Sequence, residues 1–88
     1  MVGWIDILGL AAGFCTTIAV IPQIIKALKT EEVDDVSPRM YKVLLTGLAL
    51  WTVYGIIKTD WPIILANGIA FLLNSWMLFL WFRYKGNA

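Results

Sequence analysis

"ILGLAAGFCTTIAVIPQII", residues 7–25, decides the fold, because it runs nineteen positions without a charge. A helix needs roughly twenty such residues to cross about 30 Å of hydrocarbon. This stretch is therefore expected to span a membrane as helix 1, about residues 4–28. Near its end stand two residues that a plain anchor avoids. Pro22 removes a backbone donor and clashes with the carbonyl of Ile18, four residues earlier, and Gln23 carries a polar amide into an apolar setting. The Ile18 carbonyl then needs a partner from water, a neighbouring helix or Gln23. Non-ideal backbone at membrane depth is tolerated where it lines a cavity or where a helix must bend.

The rest of the chain agrees with a membrane class. Of its 88 residues 60% are hydrophobic, five are tryptophan, and the mean hydropathy is +0.78, too apolar for a small soluble domain whose surface must stay wet. A net charge of +1 with 15% charged residues leaves no basic footprint for nucleic acid. Histidine is absent and Cys15 is the single cysteine, which excludes His/Cys metal sites, disulfides within one chain and His-based triads. Cys15 is expected to fill space as a small buried residue. The N-terminus lacks the basic start and small-residue cleavage site of a signal peptide, so it is expected to stay attached.

Beyond helix 1, "KALKTEEVDDVSPR" (26–39) reads as a wet loop of about a dozen residues. Ser37 and Pro38 are an expected N-cap and first helical residue, where the missing donor of proline costs little. Helix 2, about 38–58, has fifteen uncharged residues between Lys42 and Lys58; with both lysines snorkelling it reaches about 31 Å. "KTDWP" (58–62) is a tight connection with Thr59 or Asp60 as cap. Helix 3, about 61–83, follows without a charge from Trp61 to Phe82. The expected fold class is an all-α membrane protein, a triple-helix bundle forming one domain over residues 1–88.

Three spans place the first loop and the C-terminus on one side. That side holds Lys26, Lys29, Arg39, Lys42, Arg83 and Lys85, against Lys58 alone on the other. The positive-inside rule then puts the N-terminus outside and the C-terminus in the cytoplasm. So uneven a bias argues against dual topology, and any dimer is expected to be parallel. Trp4, Trp61 and Trp81 fall near span ends, where tryptophan anchors at the interface.

Several polar or bulky residues fall inside the spans. "LGLAAGF" sets Gly9 and Gly13 four apart with Ala12 and Thr16 beside them, a small-residue ridge that lets helices approach; packing explains it without function. On helix 2, Met40, Leu44, Gly47, Trp51, Tyr54 and Lys58 recur at steps of three and four and share a face. An interfacial belt does not account for Trp51, which is near mid-depth, although core packing could. In "ILANGIA", the amide of Asn67 must face protein or water, either as a bond between helices or as a substrate contact. Asn74, seven residues on, is read as a packing or hydrogen-bonding residue. Thr16 and Thr17 can satisfy backbone carbonyls or offer hydroxyls to a cavity.

Taken together, "TTIAVIPQIIK" (16–26), "SPRMY" (37–41) and "ALWTVYGIIKTDWPIILAN" (49–67), in a chain of three spans, resemble the bacterial SemiSWEET sugar transporters, half-size relatives of the SWEETs in the PQ-loop superfamily. The resemblance covers nearly the whole chain. It implies a parallel six-helix homodimer in the bacterial inner membrane, carrying a neutral mono- or disaccharide by alternating access along its two-fold axis. No cofactor or metal is implied. It also implies residue roles: Trp51 and Asn67 as the sugar-binding pair, Pro22 and Gln23 as the hinge, and Tyr54 with Lys58 and Asp60 as the outer gate; Met40, at the cytoplasmic end of the helix 2 face, is the inner-gate candidate. An indole face suits the C–H face of a sugar ring, and an amide offers donor and acceptor to hydroxyls. Lys58 departs from the arginine expected at the gate and cannot make a bidentate contact.

Two other classes compete. A proton-coupled exporter of cations or drugs needs an ionisable group in mid-membrane, whereas Asp6 and Asp60 lie near span ends, so uniport is favoured. In a non-transporting membrane subunit, Trp51 and Asn67 would only join helices. No nucleophile, base and metal can be assembled into an enzyme site.

Overall fold

The computed structural model describes residues 3–85. Four helices make three spans: α1 (Trp4–Ile18) and α2 (Ile21–Thr30) are the halves of the first, α3 (Pro38–Lys58) is the second and α4 (Trp61–Lys85) the third. All three are long and apolar enough to cross a membrane.

The first span is not the continuous helix that its composition suggests; it breaks at Ala19–Val20. Pro22, the second residue of α2, has no N–H for the Ile18 carbonyl, and the Val20 N–H turns back three residues to the Thr17 carbonyl at 3.3 Å. Ala19 (φ −63°, ψ −25°) and Val20 (φ −82°, ψ −20°) keep right-handed helical torsions. The break is therefore a proline kink with one tightened turn and not a loop. Beyond it α2 continues through Lys26 and Lys29 to Thr30, so the wet connection is shorter than expected and runs over residues 31–37. Glu31 ends α2 in the left-handed region at φ 55° and donates its N–H to the Ala27 carbonyl at 2.8 Å. Across this connection Lys26 Nζ donates to Asp35 Oδ2 at 2.9 Å. The Lys26 ammonium beside Asp35 holds that carboxyl below its ordinary range, so the pair stays ionised at neutral pH.

Caps set the other helix ends. Ser37 Oγ accepts the Met40 N–H at 3.2 Å, with Pro38 in the first turn. Of the two alternatives at the next connection, Asp60 starts α4: its Oδ1 accepts from the Ile63 N–H at 3.4 Å. Thr59 instead terminates α3 at φ 55°. The third helix runs on to Lys85, with Arg83 and Lys85 in its last turn, where cations favour the carbonyl end of the helix dipole.

In the bundle α4 packs against both other spans, while α1 and α3 make no direct backbone approach. The two ends of the bundle pack differently. Toward the α3–α4 connection, contact depends on missing side chains. A Cβ on Gly13 would stand 2.4 Å from Ala66 Cβ, and one on Gly55 would stand 2.8 Å from Ile63 Cγ2. Facing the Gly9–Gly13 ridge, α4 offers Pro62, Ala66 and Ala70 at steps of four, a second small-residue ridge of the same kind. Toward the 31–37 loop the spans close over a side-chain core of Val20, Ile24, Ala27, Val33, Tyr41, Met77 and Leu80, with Trp81 packed against it. Trp81 therefore also packs, beyond its expected place at the interface.

Cys15 is the clear departure from expectation: it is exposed and not buried. With no residue of α1 buried in the protomer, a small apolar side chain on that helix points to the bilayer as readily as to protein.

Candidate functional site

The α3 face picked out by periodicity is uncovered in the protomer. Met40, Leu44, Trp51, Tyr54 and Lys58 are all exposed, and a Cβ on Gly47 would meet nothing within 4 Å. Trp51 is 54% exposed although it stands about 10 Å inside the helix end at Lys58, by the rise of 1.5 Å per residue. Its ring meets that of Tyr54 edge to face, with centroids 5.4 Å apart at 85°. Such a contact holds the indole in one orientation and leaves it accessible.

Asn67 lies about 9 Å inside the start of α4 by the same rise, so the antiparallel α3–α4 pair sets it at nearly the depth of Trp51. It is half-buried, and Nδ2 donates to the Ile63 carbonyl of its own helix at 3.0 Å. One amide hydrogen is thus satisfied without a partner from another span, and no bond from Asn67 to another helix is present among the described residues. The side chain lines a groove of about 230 Å³ between α1 and α4, together with Gly9, Gly13, Thr16 and, from α3, Leu48. Leu48 precedes Trp51 by one turn. Sequence alone leaves Thr16 open. Its hydroxyl donates to the Gly13 carbonyl at 3.0 Å, and the residue lines the groove. Asn74 is 6% exposed and donates to the Ala70 carbonyl at 2.8 Å, a packing position. On the opposite flank of the α1–α4 seam is a larger groove, about 740 Å³, lined by apolar residues including Phe14, Leu65 and Ile69, with Cys15 and Thr17 among them. One flank is thus polar at Asn67 and Thr16, and the other is almost wholly apolar.

The remaining candidates lie toward the two ends. Lys58 and Asp60 do not pair within the protomer; the ion pair among the described residues is Lys26–Asp35. One oxygen of Asp60 is engaged in capping α4. Met40, in the first turn of α3, is 53% exposed. Pro22 lies just past the kink, and Gln23 does not return to the Ile18 carbonyl: its Oε1 accepts from the Tyr41 hydroxyl. Tyr41 has no special signal in the sequence beyond its place in "SPRMY", since a tyrosine near a span end reads as an interfacial residue.

Comparison with known proteins gives one consistent answer. The PQ loop repeat family matches residues 4–64. The chain is 44% identical to the sugar transporter SemiSWEET of Bradyrhizobium diazoefficiens, over 91% of this chain and 93% of that one. It is 36% identical to the sugar transporter SemiSWEET of Leptospira biflexa, over 84% and 87%. Its structure superposes on the crystal structure of a bacterial homologue of SWEET transporters with a TM-score of 0.88 at 38% identity, covering 93% of this chain and 99% of the other. It also superposes on a SemiSWEET crystallised in the inward-open conformation, with a TM-score of 0.82 at 32% identity, covering 98% and 100%.

Proposed function

The chain belongs to the SemiSWEET sugar transporters of the PQ-loop family, and we propose that it carries a mono- or disaccharide by facilitated diffusion through a parallel homodimer. It is a sugar transporter and not an enzyme. The observation that carries the proposed site is that Asn67 lines a groove with Leu48, one helical turn before the exposed Trp51, at nearly the depth of that indole. A groove of about 230 Å³ falls below the roughly 300–1,000 Å³ of ordinary small-molecule sites. Two such grooves facing across a two-fold axis reach that range and surround one neutral sugar with two indoles and two amides. The second copy also covers the exposed α3 face.

In this assembly Tyr54, Lys58 and Asp60 gather at the end that the charge bias puts outside, and Met40 at the cytoplasmic end. Lys58 of one protomer then pairs with Asp60 of the other, a contact worth about 0.2–1 kcal/mol when exposed, weak enough for a gate that must open. The cell membrane of a bacterium is the proposed location, with the N-terminus outside. Uniport follows from the want of an ionisable side chain at mid-depth.

The test is uptake of labelled glucose and, separately, sucrose into proteoliposomes. Wild-type protein is expected to admit at least one of them above empty liposomes, at a rate indifferent to an imposed pH gradient. Exclusion of both would turn the search to other small neutral solutes, and strict dependence on the gradient would oppose uniport. Pro22→Ala restores a donor to the Ile18 carbonyl and straightens the first span. That variant is expected to fold and dimerise but to transport slowly, and full-speed flux would remove Pro22 from the hinge.

A further inference from the structure

Tyr41 does more than fill the core. Its ring is 3% exposed among Val20, Ile24, Ala27, Val33, Met77 and Leu80, a setting that a phenylalanine would fill as well. A buried hydroxyl is costly unless it is bonded, and this one donates to Gln23 Oε1. The bond joins the second span to the half of the first span that lies beyond the kink. The backbones of α2 and α3 do not approach each other, and no other hydrogen bond links these two helices among the described residues. The two ends of the bond differ in exposure: the Tyr41 ring is held in the core, to which α2 contributes Ile24 and Ala27, whereas the Gln23 side chain is exposed and sits three residues past a break whose torsions are still helical. A small change at Ala19 and Val20 would carry Gln23 away from a fixed hydroxyl. Met40, the exposed neighbour of Tyr41, stands on the same turn of α3.

Resting on the transport function stated above, we propose that Tyr41 is a positioning residue for transport. Its hydroxyl latches Gln23, and with it α2, to the start of α3 in one access state and releases it in the other. A ligand-independent contact made in only one of two states sets their ratio, and apparent affinity on each face falls as the state open to that face is depleted.

Tyr41→Phe removes the hydroxyl and nothing else. In proteoliposomes of uniform orientation, the KM for sugar measured from the two faces is expected to move in opposite senses. The underlying shift is about fivefold, the equivalent of one net hydrogen bond. Gln23→Leu, at an exposed position, is expected to give the same shift, and the double variant no more than either single one. A lower maximal rate with both KM values unchanged marks a merely structural tyrosine and overturns the proposal. Should wild-type protein carry neither sugar, the transport function is what fails, and the latch is then read without sugar. Spin labels at Lys29→Cys in a Cys15→Ser background report the separation of the two α2 ends in the dimer. A changed distance distribution in Tyr41→Phe supports the latch, and an unchanged one overturns it.

Discussion

Asn67→Ala is expected to reduce sugar uptake to the level of empty liposomes while leaving the amount of folded dimer unchanged. The amide is half-buried in the groove, and its one bond among the described residues is to the Ile63 carbonyl of its own turn. Removing it breaks no link between spans, and alanine is the better helix former. What is lost is donor and acceptor capacity toward sugar hydroxyls, twice over in a two-fold symmetric pocket. At about 1–1.5 kcal/mol for each bond, two bonds amount to roughly a 30- to 150-fold loss of transport efficiency. Uptake is measured at matched dimer content by size exclusion and labelled sugar. Loss of dimer with flux per dimer preserved would mean that Asn67 joins helices and does not bind substrate.

The second large effect is on the fold. Gly13→Ala puts a Cβ 2.4 Å from Ala66 Cβ and 3.5 Å from Ala66 Cα. Neither atom belongs to the far end of a flexible side chain, so the helix axes of α1 and α4 must separate. Overpacking of this kind costs about 1–3 kcal/mol, and it widens the same groove that Asn67 lines. Thermal unfolding in detergent is expected to shift down, and flux to fall with it. Gly9→Ala is the control for stability, since its Cβ meets Pro62 Cβ at an ordinary 3.9 Å and is expected to leave the unfolding temperature unchanged. Ala66→Gly in the Gly13→Ala background is expected to restore stability. A Gly13→Ala protein as stable as wild type would mean that α1 is free to shift on α4.

Much of the architecture is legible in the chain because its causes are local. Uncharged runs mark the three spans, Ser37 before Pro38 marks the start of α3, and Pro22 marks a bend. The small-residue ridge at Gly9 and Gly13 and the shared face of Trp51 and Tyr54 follow from helical spacing alone. Other features are not legible, for one reason. In a membrane chain every face of a helix can be apolar, so hydrophobic pattern no longer tells inside from outside. Cys15 is expected to be buried and is exposed, and Trp81 is expected at the interface and also packs on the core.

By itself, then, the sequence determined that this chain crosses a membrane three times, that its first span is weakened at Pro22, and which residue types stand at mid-depth where a bilayer disfavours them. Those follow from charge, length and the missing N–H of Pro22. The tertiary structure alone decided that α4 lies between the other two spans, that Gly13 needs to be glycine because Ala66 is opposite, that Asn67 shares a groove with Leu48, and that Gln23 answers to Tyr41. Each of these depends on atoms from segments far apart in the chain, which only packing brings within reach.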